Sequence, residues 1–193
     1  MLTMAQKRAP QYLAGKLLIA MPGMRDPRFA KSVVLMLDHD ESRATGVVIN
    51  KPAGFMQLGL DRPGEGEQPP ETEQIPVHYG GPIDKKVAII VHSSDRDDYE
   101  STLRVNDDLC VTSTPHILED IWAGTGPQCR LFVLGYAGWG PGQLEGELQE
   151  NSWLVGNGSL ELVFKTSASD KWNAAIQALG INPSKLSTTG GIA

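Results

Sequence analysis

Leu131-Phe132-Val133-Leu134, then Gly135-Tyr136-Ala137-Gly138-Trp139-Gly140-Pro141-Gly142-Gln143, then Leu144 and Leu148 one helical turn apart: this stretch decides how the chain is read. Four consecutive apolar residues bounded by glycine fit a strand covered on both faces. The glycine run turns the chain, and Pro141 opens a short helix to about Asn151, with acids in its N-terminal half. Working outward, similar continuous runs recur at Leu17–Ala20, Val33–Leu37, Val47–Ile49, Val87–Val91 and Leu160–Phe164. More polar strands are expected at Thr102–Val105 and Leu109–Thr112, with Asn106-Asp107-Asp108 turning between them. Seven or eight strands result.

Helices are fewer. Asp26-Pro27 reads as a cap and first-turn pair for a short helix through Ala30, and Thr114-Pro115 repeats the device before His116–Trp122. There Ile117, Leu118, Ile121 and Trp122 make one apolar face. Asp170–Leu179 buries Trp172, Ala175, Ile176 and Leu179, opens on a capping-box-like Ser167-Ala168-Ser169-Asp170 and ends at Gly180. Strands and helices do not alternate regularly. That order argues against a doubly wound parallel sheet and for an α+β domain with much antiparallel pairing.

The 193 residues fit one domain, 12–193, behind a flexible tail, 1–11, and the composition of 40% hydrophobic and 21% charged residues is that of a globular protein. Residues 53–74 are rich in Gly, Pro and Glu and read as a mobile loop, its acidic part at 59–74; the chain beyond Asn182 reads as loosely held. No apolar run reaches the roughly 20 residues of a membrane span. The segment from Lys7 to Met21 imitates an export signal, but Lys16 interrupts it and no cleavage site follows, so a cytoplasmic location is expected. Cys110 and Cys129, both in apolar surroundings, read as reduced structural thiols.

The net charge of −6 is uneven. Residues 59–74 hold five acids and one base, the first ten residues carry +2, and the remaining body is left at −4. With no helix-turn-helix pattern either, direct DNA binding is not expected.

Catalytic signatures are missing: no Walker A sequence, no G-x-S-x-G elbow, no paired C-x-x-C. The 135–143 run could offer free N–H groups to an anion, but Pro141 removes one donor and Glu145 and Glu147 repel negative charge, so a structural turn wrapped by Trp139 is the simpler account. His39, His78, His92 and His116 lack metal spacing, and Asp38-His39-Asp40-Glu41 reads as a solvated turn. Ser32 has no base placed by sequence. No catalytic residue, metal or cofactor is assigned. Asn50-Lys51-Pro52 and Tyr79-Gly80-Gly81-Pro82, at strand ends, are candidates to line a cleft.

Several segments together resemble one family. Gly15 to Pro22 with Asp26-Pro27-Arg28-Phe29, Gly46 to Pro52, Tyr79-Gly80-Gly81-Pro82, and Leu134 to Trp139 through Gly142-Gln143-Leu144-Glu145 to Trp153 are similar to the YqgE/AlgH family, as are Trp172 and the closing Gly190-Gly191-Ile192-Ala193. The match runs in order over about 12–193. The resemblance implies an α+β fold whose branched, mostly antiparallel sheet forms a barrel-like core with about four flanking helices. Members carry a short helix where this chain has its longer, proline-rich 59–74 stretch. The family is bacterial and its members are often labelled transcriptional regulators, AlgH being named for a proposed role in exopolysaccharide synthesis; no active site is established to transfer. Two functions compete: a non-enzymatic regulatory or interaction protein, and a small-ligand binder or enzyme. The ligand- or partner-binding candidates are Asn50, Lys51, Gly80, Gly81, Tyr136, Trp139, Gln143 and Glu145. A cavity with converging polar groups favours ligand binding; a flat apolar patch favours a protein partner. The sequence names no partner, ligand or oligomeric state.

Overall fold

A computed structural model describes residues 12–58 and 73–186. Ten strands join one sheet: β1 (Lys16–Ala20), β2 (Val33–His39), β3 (Ala44–Val48), β4 (Pro52–Leu58), β5 (Glu73–Tyr79), β6 (Ile83–Ser93), β7 (Leu103–Arg104), β8 (Leu109–Thr112), β9 (Arg130–Trp139) and β10 (Trp153–Asn157). Three α-helices flank it: α1 (His116–Trp122), α2 (Gln143–Gln149) and α3 (Lys171–Ala178). Short 3₁₀ turns stand at Pro27–Phe29 and Pro183–Lys185, and a π-helical turn at Glu161–Lys165. The main path runs β10-β1-β2-β3-β9-β6-β8-β7, and every pairing is antiparallel except β5 with β9.

The sheet branches at β9. Phe132–Leu134 pair with β5, while Ala137–Trp139 pair with β3, and β6 takes the other edge. Gly80 ties the branch together: its N–H donates to Leu134 O and its carbonyl accepts from Val48 N–H, both at 2.8 Å. A Cβ on Gly80 would stand 2.1 Å from Gly135 O, and one on Gly81 2.1 Å from Tyr136 C. Three backbones therefore meet where only glycine leaves room. The result is a branched, mostly antiparallel half-barrel: the α+β class is as read from the order of elements, and the branching as the family resemblance implies.

Covering on both faces explains the continuous apolar runs. Leu17, Ile19, Val33, Leu35 and Val47 pack with Leu162, Val163, Trp172 and Ile176, under α3 and the π turn. Their alternate neighbours Leu18, Ala20, Val34, Met36 and Val48 pack with Trp139, Leu144 and Trp153, under α2. At the far end Ile75, Val77, Ile90 and Phe132 meet Ile117 and Ile121 of α1. Strands clothed this way have no polar face to alternate.

Several expectations need correction. Leu160–Phe164 is not a strand but the π turn; a short apolar run has no period to distinguish the two. Residues 53–58 belong to β4 and Glu73-Gln74 to β5, so the loop read at 53–74 is partly sheet. The rest of the acidic loop, at 59–72, and the tail at 1–11 lie outside the described residues. Thr114 does not cap α1; its hydroxyl donates to Glu100 O at 3.3 Å. Past Asn182 the chain is not loose at first: Asn182 Oδ1 accepts from Ser184 N–H at 3.0 Å and starts the 3₁₀ turn, and residues 187–193 lie outside the described part. The Asp26 cap is as read, accepting from Arg28 N–H at 2.9 Å. Gly180, at φ +74°, ends α3.

Candidate functional site

The eight candidate residues do not share one cleft. Gly80 and Gly81 are buried against the β9 backbone and serve the branch. Tyr136 packs on the core, its hydroxyl donating to Asp84 Oδ2 at 3.2 Å. The other five distribute among three cavities.

Beside β10 lies a cavity of about 570 Å³. Leu13, Leu148, Val155 and Leu179 give it apolar walls, and Lys16, His39, Glu145 and Asn157 its polar edge. His39 is buried at the end of β2, which corrects its assignment to a solvated turn; the turn itself is Asp40–Arg43. Its Nδ1 accepts from Leu13 N–H at 3.2 Å, so the ring hydrogen stays on Nε2, which meets Glu145 Oε1 at 2.8 Å. Both nitrogens are thereby committed. Lys16 Nζ donates to Asn157 Oδ1 at 2.7 Å across the β1–β10 pair. Among the described residues, no Ser, Thr or Cys lines this cavity.

A second cavity, of about 260 Å³, borders Trp139, Gln143, Glu147, Trp153 and Phe29. The indoles are 5% and 4% exposed and meet edge to face, with Phe29 against both. Glu147 Oε2 accepts both indole N–H groups, at 2.9 Å from Trp139 and 2.7 Å from Trp153, while Oε1 accepts from Gln143 at 3.0 Å. The turn is wrapped by Trp139 as read, and Trp153 joins it in anchoring the α2 segment, with a carboxylate at the centre.

The third cavity, of about 250 Å³, holds Asn50 and Lys51 with Lys31, Ser169 and Trp172. Asn50 Oδ1 accepts from Val33 N–H at 2.8 Å and its amide donates to Lys31 O at 2.9 Å, which sets its orientation. Nearby, Lys171 is 2% exposed and its Nζ donates to Val163 O at 2.7 Å and Ile49 O at 3.1 Å. Burial pulls its ammonium down to about 8. Ser32 Oγ and His78 Nδ1 are buried without a partner among the described residues, and burial, with Lys171 second, lowers the His78 imidazole.

Sequence reasoning missed His39, Glu147 and Lys171. His39 meets Glu145 across 106 residues and Lys171 reaches Ile49 O across 122, whereas the partners of Glu147 stand within eight residues of it and only the local turn shows that they converge. Among the described residues no group of three His, Cys, Asp or Glu is placed to hold a metal, and no helix is long and apolar enough to cross a membrane.

The AlgH-like (DUF179) family model matches residues 17–184. A UPF0301 protein of Jannaschia sp. strain CCS1 is 46% identical over 185 residues, covering 93% of this chain and 94% of that protein. A UPF0301 protein of Paracoccus denitrificans is 43% identical over 188 residues, covering 93% and 96%. Among solved structures, the AlgH protein of Pseudomonas aeruginosa superposes with a TM-score of 0.74 at 37% identity, covering 98% of this chain and all of that one. The branch glycines, the tryptophan-anchored helix and these likenesses over nearly the whole length agree: the chain belongs to the AlgH-like family.

Proposed function

We propose that this chain is a non-enzymatic regulatory protein of the AlgH type, acting by binding a small amphipathic molecule in the cavity beside β10. The observation that carries this is the fixed His39–Glu145 pair on an apolar hollow of about 570 Å³. Ligand cavities run from about 300 Å³ upward, with apolar walls and a few placed polar groups, and this one fits. Binding is favoured over catalysis because His39 has no nitrogen left to take a substrate proton while Leu13 N–H occupies Nδ1. Among the described residues no nucleophilic hydroxyl or thiol lines the cavity either. The polar edge favours a ligand with a single hydrogen-bonding head, reached by Lys16 and Asn157, and a short apolar body against Leu148 and Val155. Two unpaired thiols, Cys110 and Cys129, support a reducing cytoplasmic setting.

Titration with anilinonaphthalene sulfonate, followed by competition with octanoate, octanol and octylamine, tests the proposal. Saturable one-to-one binding by the dye, competition by at least one of the three, and loss of both in Val155→Trp are expected. Dye binding unchanged in a folded Val155→Trp variant, or no saturable binding at all, overturns it.

A further inference from the structure

The third cavity has a charge opposite to the rest of the molecule. Among the described residues two lysines line it and no Asp or Glu does, while the whole chain carries −6. Lys31 stands on the turn before β2 in a left-handed conformation, φ +53°, its Nζ 5.7 Å from the centre of the Trp172 ring. Lys51 follows Asn50 after β3. Its Nζ gives one hydrogen to Arg28 O at 2.6 Å, which leaves two donors. Neither ammonium is in an ion pair among the described residues. Asp26, whose field reaches Lys51, is itself gripped by Arg28 at 2.6 Å.

The start of α3 closes the cavity. Its cap, Asp170, makes no side-chain bond to the first turn, and the N–H groups of Trp172 and Asn173 meet no acceptor among the described residues. Unpaired N–H groups at a helix start favour negative charge. Asn50 bridges Lys31 O and Val33 N–H and so keeps the wall rigid.

We infer that this cavity binds a small-molecule phosphate, the two free ammonium groups taking the dianion between them. Its volume of about 250 Å³ holds a phosphoryl group with a short organic substituent. The site is separate from the β10 cavity, with which it shares no lining residue.

Inorganic phosphate is the probe, titrated into the ¹⁵N-labelled full chain at constant ionic strength, with chloride and malonate in parallel. Saturable shifts at Lys31, Lys51, Ser169, Asn173 and the Asn50 side-chain amide are expected for phosphate. Lys31→Met with Lys51→Met should weaken binding about tenfold or more, since each removes a charge-assisted donor. Lys16→Met, in the other cavity, should leave it unchanged. Shifts that follow chloride equally, equal saturation by malonate, or an undiminished response in a folded double variant each overturn the assignment. Melting curves of the variants establish that they fold, and if the double variant does not, Lys51→Gln alone decides by the same criterion.

Discussion

Replacing Glu147 by Ala should destabilise the protein far more than a half-exposed helical glutamate ordinarily would. The carboxylate accepts two indole N–H groups whose rings are almost wholly buried. Removing it leaves both donors without a partner, and each orphaned buried donor costs about 1–3 kcal/mol. Simple addition gives about 2–6 kcal/mol. The adjoining cavity of about 260 Å³ lets water reach part of the gap, which places the expected loss near 3 kcal/mol. Glu147→Gln keeps an oxygen that can accept both indoles but loses the charge, so about 1 kcal/mol is expected.

Urea denaturation followed by far-ultraviolet circular dichroism measures these losses directly. A double-mutant cycle makes the test specific. With Trp139→Phe in the background one of the two donors is already gone, so Glu147→Ala should cost at least about 1 kcal/mol less than in the parent. A Glu147→Ala variant within about 0.5 kcal/mol of the parent, or a coupling to Trp139 near zero, would refute the bridging role. The consequence reaches the ligand cavity, because α2 also carries Glu145. A loosened α2 would release the His39 contact, and weaker dye binding in Glu147→Ala is the expected signature.

Raising the pH from 8 toward 10.5 should stabilise the folded state by up to about 3 kcal/mol through Lys171. Its ammonium is depressed to about 8 by burial and returns to 10.5 on unfolding, so the unfolded state binds more protons in that window and stability rises with pH; urea midpoints of the parent should climb relative to Lys171→Met, and parallel profiles would refute it. Gly80→Ala should cost at least about 3 kcal/mol, because its Cβ falls 2.1 Å from Gly135 O, whereas Gly140→Ala, with open space around it, should be near neutral by thermal melting. Fluorescence anisotropy with random duplex DNA at physiological salt should show no binding even at about 10⁻⁴ M protein, the weak end of ordinary non-specific affinity; a salt-sensitive micromolar Kd would overturn that expectation.

The strands that were legible in the sequence are those sandwiched between two apolar layers. Leu17–Ala20 and Val33–Met36 alternate between the α3 side and the α2 side, and burial on both faces leaves an unbroken apolar run to read. The strands that escaped have one face in solvent or a broken pattern. β4 begins at Pro52, contains Gly54 and exposes Phe55, and β5 carries Pro76, so both have the composition of a loop. Leu160–Phe164 failed for the opposite reason: it is apolar enough for a buried strand, yet its π turn frees Val163 O to receive the Lys171 ammonium. That lysine looks in the sequence like any polar residue in a first helical turn.

The candidate site was legible residue by residue but not as a place. Gln143 and Glu145 stand two positions apart on α2, and at 100° per residue their side chains diverge by about 200°. Gln143 accordingly joins Glu147 in the tryptophan cavity, while Glu145 meets His39 on the far side. Asn50 and Gly80, both at strand ends, part company because one presents an amide and the other has no side chain to present. Asn50 can therefore brace a cavity wall, and Gly80 can only let three backbones touch. The glycine- and tryptophan-rich segment, read from the sequence as a structural turn, is thus a strut between separate cavities. Glu147 and Glu145 share α2, so a loss of the Glu147 bridge is expected to reach the His39 contact through that helix.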